Sequence, residues 1–265
     1  METTRGLRVL LGTLTIGILA FIYLPIALIV VYAFNTNRVP TWPPAGLTLD
    51  WFGRAAQSSE VRSALALSLE AAIGATLVAL VLGTLAAFAV HRFSFFGRET
   101  VSFLVILPIA LPGIVTGIAL ATAFRTFGVQ LGLLTIIVGH ATFCVVTVYN
   151  NAIARLRRTA RSYEEASMDL GADTWQTFRH VTFPNLRTAL LAGGLLAFAL
   201  SFDEVIVTLL VAGPQQTLPI WIFNNYLRPN QAPVVNVVAV VAISLSVIPV
   251  YLASRLSSEA TGVPR

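Results

Sequence analysis

The chain has 265 residues, 56% of them hydrophobic and 11% charged, with 17 basic side chains, all arginine, against 12 acidic ones and a formal net charge of +5. That balance excludes an ordinary soluble domain and places the chain among polytopic membrane proteins, which bury apolar surface in lipid as well as in a core. The arginines are not interleaved with aromatics on a soluble domain, which argues against a nucleic-acid partner, and the single cysteine, Cys144, allows no internal disulfide.

The first apolar segment runs from about Val9 to Phe34, behind Arg5 and Arg8. A hydrocarbon core of roughly 30 Å takes about 20 helical residues, so this segment is long enough to cross. It is longer than the apolar region of a signal peptide and has no small-residue cleavage site, so an uncleaved span is expected, kinked at Pro25. Residues 35–62 are too polar to span. Within them LTLDWFGRAA is expected to form a short helix on the membrane surface, with Trp51 and Phe52 facing the interface.

Span two is expected over 64–90. Its alanines and glycines let helix backbones approach closely, which suits the inside of a bundle. His91, Arg92, Arg98 and Glu99 form a charged connector, with His91 solvated. Span three, 101–124, holds Pro108 and Pro112 in mid-membrane, where neighbouring helices or a cavity must take up the freed carbonyls. Gly113 and Gly117 make a GxxxG face, and a bending, pore-lining helix is expected. Span four, 131–151, contains His140; a histidine bonded to a neighbouring carbonyl is the expectation there.

Arg155 to Pro184 is the one long polar run. Ser162 and Glu165 have capping-box spacing, a helix from about Tyr163 to Leu170 should end at Gly171 in a left-handed turn, and Asp173 or Thr174 should cap a second short helix reaching His180. Pro184 should stop that helix. The expected product is a helix–glycine–helix elbow held against one membrane face.

Spans five and six follow over 186–211 and 234–252, separated by the loop AGPQQTLPIWIFNNYLRPNQAP. Six spans put both termini on the side of the elbow. Of the seventeen arginines, twelve lie on that side, at 5, 8, 92, 98, 155, 157, 158, 161, 179, 187, 255 and 265. The excess of arginine on cytoplasmic loops predicts that the termini and elbow are cytoplasmic.

Several chemistries are missing from the sequence. There is no G-x-x-x-x-G-K-[ST] phosphate loop, no Cys/His cluster with metal-ligand spacing, and no recognisable nucleophile–base pair, so the chain is not expected to be an enzyme. The unusual residues are Asp203 and Glu204 in LAFALSFDEVIVTLL. An acid near the bilayer centre costs roughly 2.5–3.5 kcal/mol on insertion scales. At about 1.5 Å per residue from Arg187, Asp203 lies roughly 24 Å along, in the outer half of the span. Helical neighbours point about 100° apart, so one of the two is expected to face a central pathway. The alternative is that the pair caps or snorkels at the outer interface.

EEASMDLGA, followed by VTFP, resembles the EAA loop of permease subunits of ATP-binding-cassette (ABC) importers. Glu165, Ala166, Gly171 and Pro184 match the pattern, while Ser167 replaces its second alanine. The resemblance implies an all-α, six-helix, type I importer permease with a single transmembrane domain over residues 1–265 in the bacterial cytoplasmic (inner) membrane. It implies ATP bound by separate ATPase subunits, with no cofactor in this chain. Glu164, Glu165, Ala166, Asp169 and Gly171 are the implied coupling surface for those ATPases. It also implies a second permease subunit, expected as a heterodimer with self-pairing left open, and an extracytoplasmic solute-binding protein that delivers a small molecule.

SFDEVIVTLLVAGPQQTLPIWIF is similar to the corresponding stretch of spermidine/putrescine-type permeases. An acidic residue in the pathway suits a cationic amine; opines and amino-acid derivatives are the alternative substrates. The rival class is an ATP-independent secondary transporter or channel. It would leave the elbow without consequence and use the intramembrane carboxylates to shuttle protons.

Overall fold

A computed structural model describes residues 5–261. Among these, α1 (Arg5–Ala33), α3 (Ser59–Arg92), α6 (Leu133–Arg158), the helical run Thr174–Phe202 and the Ala232–Leu256 part of α12 (Ala232–Thr261) are each long and apolar enough to cross a membrane. α4 (Arg98–Ala110) and α5 (Gly113–Thr126) would make a sixth span if taken together, but they are bent by 105°. Arg265, one of the twelve arginines counted on the elbow side, lies outside the described residues.

The chain divides into two units, Met1–Arg62 with Trp221–Ile243 and Ser63–Ile220 with Ser244–Arg265. In the first, the loop after α1 closes on itself: Thr48 N–H donates to the Phe34 carbonyl at 2.7 Å and Thr36 N–H to Gly46 at 3.1 Å. α2 (Asp50–Gln57) forms where the short surface helix was expected. Trp51 does not face outward, however. It is buried, its indole N–H donates to the Asn35 carbonyl at 2.8 Å, and Phe52 packs on Phe34. A buried indole N–H needs a partner, and the Asn35 carbonyl supplies it.

The core of the second unit lies where α3 and α9 (Phe183–Phe202) pack on α6. Ala75, Ala79 and Ala87 of α3 are fully buried, so the small residues serve the close approach their composition indicated. Cys144 and Val148 of α6 and Ala197 of α9 complete one layer, and the Cys144 thiol donates to the Ala197 carbonyl.

Two expected continuous spans are broken. Span three divides at Leu111, whose extended backbone (φ −82°, ψ 140°) is the conformation a following proline imposes. The GxxxG face then packs α5 against α10 (Ile206–Val211): a β-carbon on Gly117 would lie 2.6 Å from Leu210 Cδ1. Span five ends at Phe202 and resumes at Ile206. Its start also differs, because Pro184 does not stop a helix. The helix beginning at α8 (Thr174–Thr177) passes through a π-helical turn, Phe178–Thr182, and runs on into α9. A wider turn just before a proline relieves the clash of its ring with the carbonyl four residues back. The loop between spans five and six contains a short helix, α11 (Leu218–Asn225), whose first N–H donates to Ser68 Oγ at 2.8 Å.

Candidate functional site

The elbow is built from α7 (Ser162–Asp169), a glycine turn and α8. Gly171 has φ +89°, as its position after the helix required. Around it, Ala172 N–H donates to the Ser167 carbonyl at 3.1 Å and Gly171 N–H to Met168 at 2.9 Å. These are the two bonds of a Schellman turn, which satisfies carbonyls the helix end would leave unpaired. Asp173 then caps α8 reciprocally: Oδ1 accepts from Gln176 N–H at 2.8 Å, and Asp173 N–H donates to Gln176 Oε1 at 3.0 Å. Ser167, the departure from the EAA pattern, lies 3.1 Å from the Thr177 hydroxyl and ties the two short helices together.

The expected capping box between Ser162 and Glu165 is not formed. The backbone is already helical at Arg161, so Ser162 is the first residue of the helix and not its cap. Glu165 pairs instead with Arg161 at 3.3 Å on an open surface, an ion pair of little energetic weight. Of the five expected coupling residues, Glu165, Ala166, Asp169 and Gly171 are exposed. Glu164 is not: it turns inward to Arg92, at the end of α3, and accepts a hydrogen bond from the Thr182 hydroxyl at 2.7 Å. Beside the four outward residues stand Leu170 (90% exposed) and Trp175 (66% exposed). Both are large apolar side chains left open beside the polar ones.

The second cluster lies at the break in span five. Asp203 ends α9, and its Oδ1 accepts from Ser246 Oγ of α12 at 2.9 Å. Glu204 Oε1 accepts from Val207 N–H at 2.9 Å, capping α10. The two neighbours thus bond to different helices, Asp203 to α12 and Glu204 to α10. A 460 Å³ cavity adjoins them, with Thr147, Leu200 and Val250 in its wall beside Asp203, Glu204 and Ser246.

His140 spans the same break from α6. Thr208 has one hydroxyl proton, given to the Glu204 carbonyl at 2.8 Å. Its oxygen accordingly accepts from His140 Nε2–H at 2.8 Å, and Nδ1 is left to accept from Ser201 Oγ at 2.7 Å. His140 is bonded to two hydroxyls, then, rather than to the carbonyl expected from the sequence. The histidine itself was visible in span four, but its two hydroxyl partners were not. Nothing in the sequence pointed to Arg92 or Thr182 as partners of Glu164, since a connector arginine reads as solvated. Among the described residues no group of His, Cys, Asp and Glu could hold a metal ion.

Residues 79–260 match the family described as binding-protein-dependent transport system inner membrane component. The chain is 36% identical over 228 residues to the putrescine transport system permease protein PotI of Escherichia coli K12, covering 83% of this chain and 80% of that one. It is 31% identical over 256 residues to the spermidine/putrescine transport system permease protein PotC of the same organism, covering 96% of each. Among solved structures it is similar to a chain of a bacterial ABC transporter involved in import of the acidic polysaccharide alginate, with TM-score 0.75, 17% identity, and 96% and 98% of the two chains covered. A chain of the alginate transporter in complex with its pentasaccharide-bound periplasmic protein matches with TM-score 0.73, 16% identity, and 98% and 96% covered. At those identities the likeness is one of fold.

Proposed function

The chain belongs to the family of inner-membrane components of binding-protein-dependent transport systems, and from that premise we propose that it is the permease subunit of an ABC importer for a polyamine such as putrescine or spermidine. The single observation that carries the coupling half of this reading is the elbow. A Schellman turn and a reciprocal cap hold two short helices so that Glu165, Ala166, Asp169, Leu170 and Trp175 stand outward together. That surface docks on a separate ATPase, which binds the ATP. Closure of two such ATPases draws the elbows together. The spans then move between outward- and inward-open states around a pathway shared with a second, similar permease. An extracytoplasmic solute-binding protein delivers the substrate, and both termini and the elbow lie in the cytoplasm.

The substrate half rests on Asp203 beside the cavity and on the names of the two relatives. A carboxylate and an ammonium 4 Å apart attract by about 1 kcal/mol in bulk water and about 4 kcal/mol at the effective dielectric of a protein surface. The attraction concentrates amines without holding them, as a pathway requires. Uptake of radiolabelled putrescine into proteoliposomes holding the assembled importer tests this reading, with spermidine, an opine and a neutral amino-acid derivative as competitors. Competition by spermidine alone supports it; competition by the opine or the amino-acid derivative alone transfers the substrate to that class.

A further inference from the structure

We propose that Arg92 and Glu164 form a latch that carries motion of the elbow into the membrane spans. The proposal rests on the reading of the elbow as an ATPase docking surface.

Glu164 joins three elements. It sits in the first turn of α7 on the elbow, its carboxylate meets the guanidinium of Arg92 at the last residue of α3, and it accepts from Thr182 in the π-helical turn that opens into α9. Both charged side chains are only 15% exposed, and Thr182 is buried. Such a pair resists separation, since parting it would leave a half-buried charge without its counter-ion, and charge-assisted bonds are stronger than neutral ones.

The surroundings make the tie consequential. A 320 Å³ cavity lies between α7 and the end of α3, lined by Phe88, Phe93, Met168 and Phe178 beside the ion pair. Close packing alone therefore does not weld the elbow helix to the span. A push on the outward face of α7 would be taken up by that cavity if the latch were absent. With the latch closed, the push displaces the cytoplasmic end of α3 and the first turn of α9 together. α3 and α9 are the two helices packed on α6 in the core, so a concerted shift of both reaches the membrane interior. Glu164 and Glu165 thus divide the acidic pair of the elbow: Glu165 stands on the docking face, and Glu164 transmits from it.

Glu164→Gln keeps an oxygen for Thr182 and removes the charge facing Arg92; Arg92→Gln removes the other half. The test uses the complete importer in proteoliposomes, with ATP hydrolysed and radiolabelled putrescine accumulated measured on the same vesicles. Both variants are expected to retain the ATPase subunits while the ratio of ATP hydrolysed to putrescine imported rises roughly fivefold, the low end of common coupling between sites. The double variant Arg92→Glu, Glu164→Arg should bring the ratio back. A role confined to folding would lower hydrolysis and uptake together, with the ratio unmoved, and that result overturns the latch. Loss of the ATPase from both single variants, unrepaired by the swap, overturns it too, because the pair would then be needed to shape the elbow itself.

A separate arm, Trp175→Glu, reads docking alone. If it strips the ATPase while Glu164→Gln leaves the ratio normal, the docking reading stands and the latch falls. If it leaves the ATPase bound and uptake intact, the docking reading falls and takes the latch with it.

Discussion

Ser246 Oγ lies 2.9 Å from Asp203 Oδ1, so a serine of α12 holds one oxygen of the carboxylate that ends α9. Asp203 and Glu204 both line the cavity, but Glu204 commits an oxygen to the first turn of α10. The two acids are therefore expected to respond differently to loss of charge. Asp203→Asn should cut putrescine uptake at least severalfold, and the deficit relative to the parent protein should shrink as salt screens the attraction. Glu204→Gln retains an acceptor for Val207 N–H and should transport nearly normally. Initial uptake rates at low and high ionic strength, at matched yields of complex, decide this. Equal rates in Asp203→Asn and the parent protein would remove Asp203 from the pathway and leave it an interfacial cap.

Gly171→Val places a β-branched residue at φ +89°, which costs roughly 1–2 kcal/mol in the left-handed region. Open space surrounds the position, so the cost falls on the backbone alone and the spans should still insert. The Schellman turn should open and misdirect Leu170 and Trp175, so that substrate-stimulated ATP hydrolysis falls in the assembled importer. Normal stimulated hydrolysis and normal uptake would show that the turn does not orient the docking face.

Removing the His140 ring leaves the buried hydroxyls of Ser201 and Thr208 short of a partner on either side of the break in span five. An unmatched buried polar group costs about 1–3 kcal/mol. His140→Ala adds a cavity to that loss and should lower the midpoint of thermal unfolding of the purified complex by several degrees. Replacing Ser201 by Ala in the same protein should recover part of it, whereas Thr208 keeps its bond to the Glu204 carbonyl. An unchanged midpoint in His140→Ala would mean that the ring does not hold the two halves of the span together.

How much of this was legible in the sequence depends on the reach of each interaction. The Gly171 turn and the Asp173 cap are local, set by residues within a few positions, and both form where the spacing indicated. The same local reasoning failed at Ser162, because a helical backbone at Arg161 moved the start of α7 by one residue. The Glu164–Arg92 pair joins positions 72 residues apart, beyond any local pattern. Pro112 marked a bend in span three, but its 105° angle accompanies the packing of α5 on α10, which no short window contains. The break in span five has no Gly or Pro to announce it. It arises where the Glu204 side chain takes a backbone donor and the Thr208 hydroxyl takes a backbone carbonyl, the competition with helix bonding that acids and hydroxyls near a helix start can mount.

The proposed orientation rests on the arginine excess and is checked by labelling. With Cys144 replaced by Val, single cysteines at the exposed positions Asp173 and Gln216 should divide cleanly in intact cells. An impermeant thiol reagent should label Gln216→Cys and spare Asp173→Cys until the membrane is opened. The opposite pattern would invert the topology and put the elbow out of reach of a cytoplasmic ATPase.

In the proposed function, transport through this chain is driven by ATP hydrolysed on separate subunits docked at the elbow. The most direct measurement is accumulation of radiolabelled putrescine against a gradient in proteoliposomes containing the permeases, the ATPases and the loaded solute-binding protein. It is run with ATP, with a non-hydrolysable analogue, and without the ATPase subunits. Accumulation is expected only when ATP and the ATPase subunits are both present. Accumulation with the analogue, or in vesicles lacking the ATPases, would contradict it and make this chain a transporter that works without them.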